Sequence, residues 1–245
     1  MRKQLVIAAF GLLAMRMPAT AQNMDLGGAL DLPQLVQTLT MSAAIRADAE
    51  RRATEKGIKL SDSDAATTKS TARLTYTPTA SLRQQTVQNL AQRLQTSNPA
   101  QAKALNAAFG PGKTDYGQLY AAGLKGSGFQ DNDAASALAA YLEIAYVVAN
   151  NVQDTKAITP AMDRGLRTQA AGLLRKNTSL TDASTVAKLG EELKLQTLIL
   201  LSGWQQSLKT GQTASFSSNI AQQFANQYHF DLTQVKLTEQ GFTKK

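Results

Sequence analysis

From Asp133 to Val148 the chain is apolar on nearly every side of a helix, with Ala135, Leu138, Ala139, Tyr141, Leu142, Ile144, Tyr146 and Val147 covering all faces. A helix without a polar face can only be stable among other helices, so this segment demands a bundle and claims its middle. Aromatic residues make up only 6% of the chain while alanine is abundant, which favours close-packed helices over a sheet. A chain of 245 residues with no cysteine buries about 70% of its unfolded surface, enough for one full domain without a disulfide or metal staple.

Helix punctuation recurs on both sides of that segment. Pro78 and Ser81-x-x-Gln84 predict the start of a helix whose inner face is Val87, Leu90, Ala91 and Leu94. Asn98-Pro99 reads as an N-cap and a first-turn proline, opening a helix with Ala102, Leu105 and Phe109 inside and a stop at Gly110-Pro111-Gly112. A short segment from Asp115 to Leu124 follows. Thr159-Pro160 starts another helix, with Met162, Leu166, Ala170 and Leu173 inside and Arg164, Arg167 and Arg175 outside. The longest helix is expected from Thr181 to Lys209, closed by Gly211, with Val186, Leu189, Leu193, Leu200 and Trp204 facing in. A last helix is expected from Ser217 to Tyr228, before an irregular C-terminus whose Leu237 and Phe242 tuck against the bundle. The expected fold class is therefore all-α, a single bundle of about six helices over residues 74–245.

The first 73 residues read differently. Arg2 and Lys3, the apolar stretch Leu5 to Met15 and the small residues Ala19-Thr20-Ala21 have the layout of a signal peptide cleaved after residue 21. That stretch is too short to cross a bilayer and Arg16 interrupts it. Residues 22–73 are expected to be a flexible N-terminal segment: Leu32, Leu35, Val36 and Leu39 have helical spacing, but Ser61 to Thr71 is almost wholly Ser, Thr, Asp, Ala and Lys, which suits a linker. The expected location is periplasmic or secreted, with no lipid-bearing thiol and no membrane span. Removing Arg2, Lys3 and Arg16 takes the net charge from +8 to +5, and the remaining excess is scattered, which argues against nucleic acid as a partner.

The inventory for chemistry is thin. His229 is the only histidine, so a Ser-His-acid triad has one possible base, and a packed or half-exposed ring at a helix end is its simpler reading. No phosphate-cradling loop or nucleophile elbow occurs. Asp131-Asn132-Asp133 resembles the opening of a calcium loop but lacks its glycine and distant glutamate, and Asp133 stands where the central helix needs an N-cap. Asp62-Ser63-Asp64 falls in the linker. Glu191-Glu192 can pair with Lys188 and Lys194 at helical spacing on an exposed face. No catalytic, cofactor-binding or metal-ligating residue is assigned, and no cofactor is expected.

Glu143 stands apart as the only charge in the apolar central helix. A carboxylate there must meet a cation, reach solvent, or keep its proton. The expectation is a structural pair with an arginine such as Arg164 or Arg167; the rival is a general acid.

Leu74-x-Tyr76-x-Pro78 with Arg83, and the run Asp131-Asn132-Asp133-Ala134-Ala135-Ser136-Ala137-Leu138-Ala139-Ala140-Tyr141, resemble the two signature stretches of a bacterial family of exported helical proteins of unknown function. The resemblance covers roughly residues 74–242, although Ile144-Ala145-Tyr146 stands where that family usually has a tryptophan. It implies an envelope or secreted location and no activity. The expected function is a non-enzymatic binding or structural module of the envelope, its partner an unknown protein or envelope component. The alternatives are a wall-glycan hydrolase using Glu143 with a second carboxylate such as Asp133, and a secreted effector or inhibitor.

Overall fold

The computed structural model describes residues 73–245 apart from 178, 179 and 181. The signal peptide expected over residues 1–21, the segment expected from residue 22 up to residue 72, and Asp62 and Asp64 lie outside the described residues. Seven α-helices run through the described residues: α1 (Ala80–Ser97), α2 (Pro99–Phe109), α3 (Tyr116–Gly123), α4 (Ala134–Ala149), α5 (Pro160–Leu174), α6 (Ala183–Thr210) and α7 (Thr213–Tyr228). A two-stranded antiparallel sheet closes the chain, β1 (Val235–Thr238) with β2 (Gly241–Lys244). The fold is predominantly all-α, as the apolar segment demands.

Helix α4 is the middle of the bundle, packed by α5, α6 and α7. Ala134, Ala135, Ala137, Ala139 and Ala145 are fully buried along it, and such small side chains let neighbouring helices approach closely. Leu138 and Leu142, also fully buried, supply the bulk between them. Helices α1 and α3 lie against α6, and α2 packs on α1. In α6 every residue from Leu189 to Leu201 is buried, so its long apolar run is bundle core. No helix among the described residues is long and apolar enough to cross a membrane.

Most starts follow the capping residues. The side chains of Asn98, Asp115, Asp133, Thr159 and Asp182 each accept a backbone N–H from the first turn of the helix they precede. Two starts differ from the sequence reading. Helix α1 begins at Ala80, because Thr79 Oγ1 takes the Leu82 N–H at 3.0 Å and pre-empts Ser81 as cap. Helix α7 begins at Thr213, four residues early, because Phe216 is buried with its ring over Gly203 of α6.

The C-terminus is a hairpin where an irregular tail was expected. Leu237 pairs with Phe242, and Phe242 is buried as its apolar character required. Two features of α5 hold the sheet. The Gln169 side-chain amide accepts from Phe242 N–H at 2.9 Å and donates to Phe242 C=O at 3.0 Å, standing in for the backbone of a third strand. Gly165 lets the turn come down onto the helix, since a Cβ there would collide with the Glu239 carbonyl. Neither pattern is local in sequence, which is why periodicity alone missed the strands.

Candidate functional site

The two stretches singled out in the sequence meet in space. Thr75 bridges Asp133, Tyr76 N–H donates to Asn132 C=O at 2.9 Å, and Ala134 N–H donates to Leu74 C=O at 2.8 Å. The residues before α1 thus form an extended strap across the start of α4. Asp133 completes that corner: its Oδ1 accepts from Ser136 N–H at 2.7 Å and from Arg167 Nε at 3.1 Å, while Oδ2 accepts from Arg167 Nη2 at 2.8 Å. The capping role expected of Asp133 is present. Both of its oxygens are occupied and it is only 1% exposed, so it is not available as a base or nucleophile.

Beneath the strap lies a buried polar hub that the sequence reading missed. Lys194 is 2% exposed, and its ammonium donates to Asn132 Oδ1 at 2.7 Å, Asp131 Oδ1 at 2.8 Å and Glu191 Oε1 at 2.9 Å. The oxygens that resemble the opening of a calcium loop therefore hold an ammonium. Tyr76 O–H donates to Glu191 Oε1 at 2.9 Å and Tyr116 O–H to Glu191 Oε2 at 3.0 Å. The Lys194 ammonium also lies 5.2 Å from the Tyr76 ring centre and 5.5 Å from that of Tyr120. Gly190 makes room for this arrangement, because a Cβ there would enter the Tyr76 ring. Burial, then the Glu191 charge, pushes the Tyr76 and Tyr116 phenols well above their ordinary range, so both stay protonated donors.

The hub corrects one expectation. Glu191 and Glu192 were placed on an exposed face, yet Glu191 is fully buried and Glu192 is 7% exposed, bonded to Arg93 at 2.6 Å. Lys194 does pair with Glu191 as the spacing suggested, whereas Lys188 is exposed. The signal was present: Leu189, Leu193 and Leu195 surround these charges, and the reasoning that singled out Glu143 applied equally to them.

The two arginines expected opposite Glu143 are placed otherwise. Arg167 is engaged by Asp133, and Arg164 is exposed. Glu143, 9% exposed, instead lines a cavity of about 80 Å³ between α3, α4 and α6. Its walls include Tyr120, Phe129, Leu198, Leu201 and Trp204, and among the described residues no Lys, Arg or His contributes to them. Burial, followed by the charges of Asp131, Asp133, Glu191 and Glu143, drives the Tyr120 phenol far upward. The buried Tyr120 hydroxyl and Trp204 Nε1 have no hydrogen-bond partner among the described residues.

Elsewhere, a larger open groove of about 470 Å³ runs between α1 and α6, lined by Gln85, Asn89, Gln92, Lys188 and the Arg93–Glu192 pair. His229 stands exposed in a left-handed conformation at the end of α7, away from both sites. Among the described residues no cluster of His, Cys, Asp and Glu has the make-up of a metal site. Compared with protein families, curated proteins and solved structures, the chain matches none.

Proposed function

We propose that this chain is an exported, non-enzymatic binding module of a bacterial envelope. The observation that carries this reading is a small cavity between α3, α4 and α6, walled mostly by apolar and aromatic groups, which Glu143 reaches. A pocket with apolar walls and a few convergent polar groups is suited to holding a ligand. General acid–base chemistry would need a second titratable group free to act beside Glu143. The export half of the proposal rests on Arg2, Lys3, the Leu5 to Met15 stretch and Ala19 to Ala21.

The hydrolase reading keeps one observation in its favour, that Glu143 reaches a cavity at all. Against it, about 80 Å³ is smaller than the ~150 Å³ that accepts a benzene ring, so a sugar ring does not enter. Incubating the purified protein with cell-wall glycan tests the choice: no reducing ends should be released. Release by the parent protein that Glu143→Gln abolishes, with melting unchanged, would replace the binding module with an enzyme.

A further inference from the structure

We infer that the open groove between α1 and α6 binds an acidic saccharide, a sugar ring that carries one carboxylate. The groove is a different place from the cavity that Glu143 reaches, so the inference goes beyond the binding-module reading and does not depend on it. Three observations converge on it. First, the charges in the wall leave one over. Arg93 Nη2 donates to Glu192 Oε1 at 2.6 Å and Gln196 Nε2 donates to the same oxygen at 3.1 Å, so the Arg93–Glu192 pair is matched internally. Lys188, exposed on the same wall, has no ion pair or hydrogen bond among the described residues. The groove therefore carries a net positive charge and favours an anionic group on its guest. One unmatched ammonium suits a singly charged carboxylate better than a doubly charged phosphate.

Second, the α1 wall presents a row of carboxamides. Gln85, Asn89 and Gln92 all line the groove and are exposed, and steps of four and three residues space them by about 6 and 4.5 Å along the helix. None of the three side chains is engaged elsewhere among the described residues. Each carboxamide offers two N–H donors and an acceptor oxygen, which matches hydroxyl groups, since these also donate and accept. Third, Leu82 is the only apolar side chain among the lining residues, and no aromatic ring is among them. A wall without an apolar pocket or a ring gives peptide side chains nothing to enter and a nucleobase nothing to stack on. A ring rimmed with hydroxyls and one carboxylate finds a partner for each group. Size agrees: if ~150 Å³ takes the six carbons of benzene, about 470 Å³ takes about 19 non-hydrogen atoms, which holds one hexuronate ring and part of the next.

The carboxamides make the site directly observable, because their side-chain N–H groups give their own signals in a nitrogen–proton correlation spectrum. Titrating the full chain with glucuronate should move the Gln85, Asn89 and Gln92 side-chain signals in a saturable way. Affinity should be about 1 mM or weaker, since a polar groove buries little apolar area. Glucose, which lacks the carboxylate, and acetate, which lacks the hydroxyls, should each bind several-fold more weakly. Lys188→Gln should bring glucuronate down to the level of glucose and leave glucose unchanged, whereas Asn89→Ala should weaken both sugars and leave acetate unchanged. Both residues are exposed, so neither change disturbs the core. Four results would each overturn the inference: glucuronate binding no better than acetate, glucuronate binding no better than glucose, an N-acetylated dipeptide binding more tightly than glucuronate, or no movement of those three signals.

Discussion

The hub around Lys194 and the cavity around Glu143 both place charge inside apolar helices, yet they differ in what surrounds it. At the hub, Lys194 meets two carboxylates and an amide, and Glu191 receives two phenols and the ammonium, with Gly190 giving the close packing. At the cavity, Glu143 shares its wall with open volume and with Tyr120 and Trp204, whose donors meet no acceptor among the described residues. A buried charge surrounded by matched groups stabilises a scaffold and leaves no room for a guest. Buried donors beside open space lack that matching and give the cavity wall a looser character than the hub. Tyr120 belongs to both regions, its ring under the Lys194 ammonium and its side chain on the cavity wall, so hub and cavity meet at one residue.

The largest effect that would sharpen this contrast is at Glu191. Replacing it with alanine leaves the Lys194 ammonium without one carboxylate, and the half-buried Tyr76 and buried Tyr116 phenols without an acceptor, and breaking a buried pair in this way costs about 3–5 kcal/mol. Chemical denaturation should show that loss, with an unchanged denaturant slope. A cost under about 1 kcal/mol would mean that the hub is solvated in practice and that the distinction between the regions fails.

Next comes pH. The Tyr76 and Tyr116 phenols titrate higher in the folded protein than in the unfolded chain, through burial and then the Glu191 charge. Their contribution is complete below the unfolded value of about 10 and is lost as the pH rises above it, at about 1.4 kcal/mol per pH unit for each phenol. Stability measured from pH 9 to 11 should fall accordingly, and Tyr76→Phe should make the fall shallower by one phenol's share. A flat profile over that range would show that the hub phenols titrate freely.

The smallest effect is expected at Glu143. Glutamine there keeps the shape and the hydrogen-bonding capacity while removing the charge, and residues at ligand sites are commonly not optimised for stability. Melting of Glu143→Gln should stay within about 1 kcal/mol of the parent protein or rise, whereas a loss comparable to that at Glu191 would place Glu143 with the scaffold.

Much of the fold was legible one turn at a time. Asn98-Pro99, Asp133 and Thr159-Pro160 act as read, since an N-cap satisfies N–H groups only two or three residues away. The apolar girth of Asp133 to Val148 likewise settled the class of fold, because a surrounding shell of helices removes all its faces from water. Those determinants are local or follow from one segment's periodicity, and the sequence carries them complete. What only the tertiary structure decided are the pairings made across the chain. Tyr76 meets Glu191 across 115 positions, the Gln169 amide caps Phe242 across 73, and Arg167 goes to Asp133 instead of Glu143. In each case the side chain is compatible with several partners, and the packing of distant helices selects one of them. That selection turned an apparently exposed Glu191 into the anchor of a buried hub, and placed Glu143 on the wall of a cavity.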